Sequence, residues 1–271
     1  MKTTLGIDIG GSTTKIIGFN NSTLIGTKQV RAADQMTALF GAIGSFMREY
    51  NIELGDVTRI TLTGVGASYI DQESIYGIPI KKVNEFQAIG HGARYLTGLD
   101  NILVTSMGTG TAFVRVAGSE IIRIGGSGVG GGTILGLASQ MLGKNDIDAI
   151  LAMASSGNIK NIDLMVYDII GEDIPSLPAD LTAANFGNIK STASKSDIAL
   201  GIINMVFEVI GMLAVFALKN EPIKDVVLTG TLATFPQAVT VFARFTDMTG
   251  LNFIIPDNAI FATALGAAFT D

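Results

Sequence analysis

Six consecutive residues, Asp8-Ile9-Gly10-Gly11-Ser12-Thr13, with Lys15 just beyond, gather the groups needed to hold a phosphate. Glycine lets backbone N–H groups approach an anion closely and form a nest, Ser12 and Thr13 add hydroxyl donors, and Lys15 supplies a point charge. Asp8 suits Mg²⁺, through water, because that ion sheds its hydration reluctantly. Taken alone, the segment also reads as an ordinary glycine-rich hairpin. A second turn, Met107-Gly108-Thr109-Gly110-Thr111, repeats the pattern, and two such hairpins facing each other can grip a polyphosphate. A third segment runs from Gly125 to Thr133 and carries Gly125, Gly126, Gly128, Gly130, Gly131 and Gly132. So much glycine is costly to order. Close approach of backbone to a ligand at the start of the following apolar helix is the reading its flanks favour over a flexible linker.

Composition removes other chemistries. With no cysteine and one histidine in 271 residues, the chain has no thiol nucleophile, thiolate zinc site or multi-histidine metal site. His91 lies six residues after Glu85, which puts the two on different faces of one helix. A net charge of −6, with 18 scattered Lys and Arg, argues against a nucleic-acid partner. The strand-like start lacks the regions of a secretory signal, and a cytoplasmic location is expected. Ile198 to Leu218 is apolar except for Asn204 and Glu208. It reads as a helix buried in the core or at a subunit interface rather than in a bilayer, where both groups are expensive. The chain lacks a Walker A motif and the protein-kinase motifs, and its first glycine turn runs into a strand, unlike the Rossmann fingerprint.

Hydrophobic periodicity predicts the elements that position these turns. Strands are expected over Thr4–Ile9, Lys15–Phe19 and Leu24–Val30, then a helix capped by Asp34 and running to about Tyr50. Arg59–Thr63 reads as a strand ended by Gly64 and Gly66, Pro79–Val83 as extended, and Glu85–Leu96 as a helix. A similar series begins at Asn101: strands over Asn101–Ser106, Ala112–Ala117 and Glu120–Ile124, then mainly helix from Thr133 to Leu218. Strands at Asp225–Thr229 and Asn252–Ile255 follow, with helices over Phe235–Thr249 and Ala259–Phe269. Two openings of the form strand–glycine turn–strand imply a duplicated α/β unit with its ligand between the halves. The expected division is 1–99 and 100–271.

With the late turn Leu228-Thr229-Gly230-Thr231, this layout resembles the actin/hexokinase/Hsp70 ATPase superfamily, a duplicated, ribonuclease H-like α/β fold of two lobes with nucleotide in the cleft. More narrowly, the chain resembles type II pantothenate kinases. That likeness rests on the Asp8 turn with Lys15, Val83-Asn84-Glu85-Phe86-Gln87-Ala88, the Met107 turn, Arg123-Ile124 with the glycines after it, and Asp180-Leu181-Thr182-Ala183-Ala184-Asn185-Phe186-Gly187. The resemblance implies ATP- and Mg²⁺-dependent phosphorylation of pantothenate to 4′-phosphopantothenate, the first step towards coenzyme A, by a homodimer. It makes Glu85 the catalytic base, a residue that otherwise reads as a helix N-terminal acid. It gives Arg123 and Thr109 to the substrate. To the nucleotide it gives Asp8, Gly10, Gly11, Ser12, Thr13, Lys15, Gly108, Gly110, Gly128, Gly130, Gly131, Gly132, Thr133 and Gly230, with Asp8 also towards the metal. Asp180 and Asn185 carry no assigned role. Asn84, before the glutamate, departs from the family pattern. The competing readings are a sugar or amino-sugar kinase of the same superfamily and a nucleotide-binding scaffold without a base. The cysteine-dependent ATPases that activate dehydratases are excluded by the absence of cysteine.

Overall fold

The computed structural model describes residues 2–31, 34–171 and 180–270. The first sheet is built from β1 (Thr3–Ile9), β2 (Thr13–Asn20), β3 (Thr23–Arg31), β4 (Val57–Thr63), β5 (Ser74–Ile75) and β6 (Ile78–Lys82), with α1 (Gln35–Glu49) after β3 and α2 (Glu85–Thr97) after β6. The second is built from β7 (Asn101–Met107), β8 (Thr111–Ala117), β9 (Glu120–Ser127), β12 (Asp225–Thr229) and β13 (Asn252–Ile254). A pair, β10 (Leu164–Met165) and β11 (Thr182–Ala184), stands apart. The remaining helices are α3 (Gly131–Leu142), α4 (Ile147–Ala154), α5 (Val166–Ile170), α6 (Lys195–Ala217), α7 (Pro236–Thr249) and α8 (Ala262–Phe269).

The duplication extends to five strands of each sheet. The first sheet has the order β3-β2-β1-β4-β6-β5 and the second β9-β8-β7-β12-β13, so β1 to β3 correspond to β7 to β9, and β4 and β6 to β12 and β13. In each, three antiparallel strands are followed by two that pair parallel. The match extends to the turns after β4 and β12: Thr63-Gly64 and Thr229-Gly230 both precede a 3-10 turn, with glycine φ of 86° and 87°.

The two halves exchange helices. The apolar face of α2 (Ile89, Ala93) packs on Ile102, Val104, Val114, Val116 and Val227 of the second sheet. The last helix, α8, packs through Ala264, Leu265 and Ala268 on Ile17 and Phe19 of the first. A division at residue 99 therefore follows the chain, while the packing crosses it. The helices also touch each other at glycine. A Cβ at Gly92 would lie 1.8 Å from the Ala262 carbonyl oxygen, and one at Gly266 would lie 1.8 Å from that of Ala88.

Two expectations change. The strand from Glu120 continues to Ser127, because Gly125 and Gly126 pair with Phe113 and Ala112 of β8, leaving a short turn before α3. The expected run of helix from Thr133 to Leu218 is broken. A left-handed Gly143 ends α3, and residues 155–165 and 180–194 hold only a short 3-10 turn, β10 and β11. The part of that expectation covering 172–179 lies outside the described residues. Within the interrupted region lies Asp163, fully buried, whose carboxylate accepts from the Phe186 amide (2.8 Å) and from Asn204 Nδ2 (3.0 Å) on α6. Asn185 Nδ2 reaches both Asp163 (3.4 Å) and Glu208 (2.7 Å), which gives that residue a structural role. These bonds satisfy the polar groups of the apolar helix α6, whose Ile202, Ile203, Val206, Phe207 and Ile210 lie in the core of the second lobe.

Candidate active site

One cleft of about 1170 Å³ runs between the sheets. Register builds its first wall: Asp8 on β1 stands opposite Lys15 on β2, which stands opposite Gln29 on β3, so the three share a face. Lys15 Nζ lies 3.7 Å from Asp8 Oδ2, and both residues are 7 % exposed. Burial pushes the Asp8 carboxyl above its ordinary range, and Lys15 opposes that shift. Gly64 closes the cleft behind Asp8. A Cβ there would sit 2.5 Å from Oδ1.

Glu85 enters from the other side as the first residue of α2. Asn84 caps the helix, its Oδ1 accepting from Phe86 N (2.9 Å) and Gln87 N (3.3 Å), and so fixes the turn that carries the carboxylate. The departure at Asn84 thus serves as an N-cap. Burial raises the Glu85 carboxyl first, repulsion from Asp8 adds to this, and Lys15 works against both. A half-buried carboxyl shifted upward is a better proton acceptor than a solvated one.

The two glycine hairpins meet at their tips, where the hydroxyls of Ser12 and Thr109 lie 3.2 Å apart. The cleft brings together Asp8, Gly10, Gly11, Ser12, Thr13, Lys15, Glu85, Gly108, Thr109, Gly110, Arg123, Gly128, Gly131, Gly132 and Gly230. Gly130 and Thr133 do not line it. In the polyglycine loop, Gly128, Gly131 and Gly132 line the cleft, while several amides have partners within the protein. The Gly131 and Gly132 amides donate to the carbonyls of Gly108 and Thr109 (both 2.9 Å), and the Gly130 amide donates to Thr133 Oγ1 (3.1 Å). A Cβ at Gly130 would lie 2.6 Å from the Thr109 oxygen. These glycines let the second hairpin dock on the start of α3, and their N–H groups are already committed. The Gly230 amide likewise donates to the Ala259 carbonyl, at 3.0 Å.

Several lining residues carry no signal in the sequence. Leu135, Ile147, Leu151, Leu232 and Phe235 form an apolar wall in the second lobe, suited to a flat base. Arg31, which follows Gln29 by two on β3, reaches across the lobes to Asp146 (3.4 Å) and Asp148 (3.1 Å). The cross-strand register of β2 and β3 was the one available clue to Gln29 and Arg31. Phe86 and Ser127 line the cleft beside Arg123. The described residues contain no group of three or more His, Asp or Glu able to cage a metal. A single carboxylate such as Asp8 suits an ion that keeps most of its water and leans on phosphate oxygens, as Mg²⁺ does.

The comparisons agree with this geometry. Residues 100–242 match the Fumble family. A type II pantothenate kinase of Bacillus anthracis is 30% identical over 239 residues, covering 85% of this chain and 83% of that one. One of Bacillus cereus (strain G9842) is 29% identical over 256 residues, covering 91% and 90%. Among solved structures, the activator of 2-hydroxyisocaproyl-CoA dehydratase from Clostridium difficile with bound ADPNP aligns with a TM-score of 0.70 at 16% identity, covering 98% of this chain and 92% of that one. That likeness shows the fold, the two-lobed actin/hexokinase-like architecture. Together, the match over 100–242 and the relatives spanning most of the chain show that it belongs to the Fumble family, that of the type II pantothenate kinases.

Proposed function

We propose that the chain transfers the γ-phosphoryl group of ATP to the primary 4′-hydroxyl of pantothenate, giving 4′-phosphopantothenate and ADP. The observation that carries this reading is the half-buried, upward-shifted Glu85 in the same cleft as the Asp8–Lys15 pair and Arg123. Glu85 accepts the hydroxyl proton as the new O–P bond forms. Lys15 offsets charge on the moving phosphoryl group, and Ser12 and Thr109 hold it from either side. The fork of Arg123 orients the carboxylate or amide end of pantothenate. Asp8 would hold a Mg²⁺ ion carried in with the nucleotide, and that ion would supply charge neutralisation on the phosphate oxygens. The base lies on the apolar wall of the second lobe.

The purified chain is expected to release ADP from ATP only with pantothenate, with the product phosphate on the 4′-oxygen by ³¹P NMR. Turnover of a hexose or amino sugar with pantothenate untouched overturns the substrate assignment, and nucleotide binding without turnover of any small alcohol favours a scaffold. A cytoplasmic homodimer is also proposed. Met212, Leu213 and Phe216 leave α6 exposed, forming an apolar face for a second copy. Light scattering should then give about twice 28.3 kDa.

A further inference from the structure

Arg123 is exposed on β9, and among the described residues it makes no ion pair. Its guanidinium carbon instead lies 5.1 Å from the centroid of the Phe86 ring. A solvated arginine samples many rotamers, and orienting a substrate requires that freedom to be lost beforehand. A ring face can do this without consuming a donor. It attracts the cation through its quadrupole and leaves the five N–H groups of the fork for the ligand. The ring is itself held, packed against the cluster of Ile89, Ala93 and Ile121, with its backbone amide tied to Asn84. On the strand side, a Cβ at Gly126 would come within 3.0 Å of Arg123 Nη2, so the guanidinium rests beside bare backbone.

Phe86 also directly follows Glu85, in the first turn of α2. We propose that Phe86 is a positioning residue: its ring aims the Arg123 guanidinium and ties it to the helical turn that carries Glu85, fixing the group that orients the substrate relative to the group that takes its proton. This rests on the roles given above to Glu85 and Arg123. It explains why an arginine with no acidic partner can serve a substrate site from an exposed strand position. An acidic partner would occupy the fork and lower its affinity for a carboxylate.

The test separates the ring's π face from its bulk. Phe86→Leu keeps an apolar side chain and loses the quadrupole, whereas Phe86→Tyr keeps both. Phe86→Leu should raise the KM for pantothenate about 3- to 30-fold, the range of a cation–π contact from exposed to desolvated. The KM for ATP should stay within about twofold, and Phe86→Tyr should behave as the wild type. In the Arg123→Ala background, Phe86→Leu should add nothing further. If Phe86→Tyr loses as much as Phe86→Leu, or if the Leu effect persists in full without Arg123, the inference is overturned while Arg123 keeps its role. If Arg123→Ala leaves the KM for pantothenate unchanged, the assignment of Arg123 falls and this inference with it.

Discussion

Glycine-to-alanine substitution should change sign according to where the helix lies. Gly41 and Gly44 are exposed in α1, and an added Cβ there meets nothing within 4 Å. Each replacement should stabilise by about 0.5–1 kcal/mol, because alanine loses less backbone entropy in a helix. Gly92 and Gly266 face each other's helices. The new Cβ would lie 1.8 Å from a carbonyl oxygen of α8 or α2, with further backbone atoms at 2.6 and 2.7 Å around Gly266. No rotamer relieves a clash with backbone. To reach even the 3.0 Å floor of real Cβ contacts, the helices must part by about 1.2 Å. Overpacking of this kind costs about 1–3 kcal/mol or more, and at roughly 2–4 °C per kcal/mol for a chain of this size the melting temperature should fall by about 2–12 °C. Because α2 carries Glu85 at its first residue, the same displacement misplaces the base. A shift near 1 Å is worth up to about 100-fold in rate, so kcat of Gly266→Ala should fall about 10- to 100-fold. Scanning calorimetry and steady-state kinetics on the four variants would check this. Gly266→Ala melting at or above the wild type with kcat intact would refute the claim that this helix contact sets the base.

Other perturbations have defined outcomes. Glu85→Gln should lower kcat about 10²- to 10⁴-fold with ATP affinity nearly unchanged in a titration. In the wild type, the acid limb of kcat/KM should lie above the 4.5 of an ordinary glutamate, since burial and Asp8 raise this carboxyl. For stability the sign is fixed by the same shift. A raised carboxyl stabilises below the ordinary value and loses that contribution as pH climbs through the folded one, so Glu85→Gln should melt higher than the wild type at neutral pH but not in acid. Asp163→Ala strands the Phe186 amide and Asn204, and should cost about 3 kcal/mol in urea denaturation. Arg31→Ala removes two exposed ion pairs between the lobes. It should speed release of a fluorescent ADP analogue about two- to fivefold at low salt and weaken the salt dependence, read by stopped flow.

Local physics carried much of this protein in plain view. The alternating apolar runs of β1, β2, β7 and β8, the glycine turns between them and the cap at Asp34 are short-range features, and each forms about where its residue types require. The residues of the two hairpins were readable because loops that hold phosphate demand small residues and bare charges at fixed spacing, whereas Glu85 and Arg123 stood out only through the family resemblance. Glycine type, however, does not say what comes close. At Gly130 to Gly132 the near neighbour is the second hairpin: the Gly131 and Gly132 N–H groups donate to its carbonyls, and that of Gly130 to the Thr133 hydroxyl. The exchange of α2 and α8, the ion pairs from Arg31 to Asp146 and Asp148, and the ring of Phe86 against Arg123 all join residues far apart in the chain. The partners of Asn204 and Glu208 come from the segment that folds over α6: Asn204 donates to Asp163, and Glu208 accepts from Asn185. Periodicity reports which face a residue seeks to bury. Only the packed tertiary structure decides what that face meets, because the partner's identity is set by topology and not by local preference.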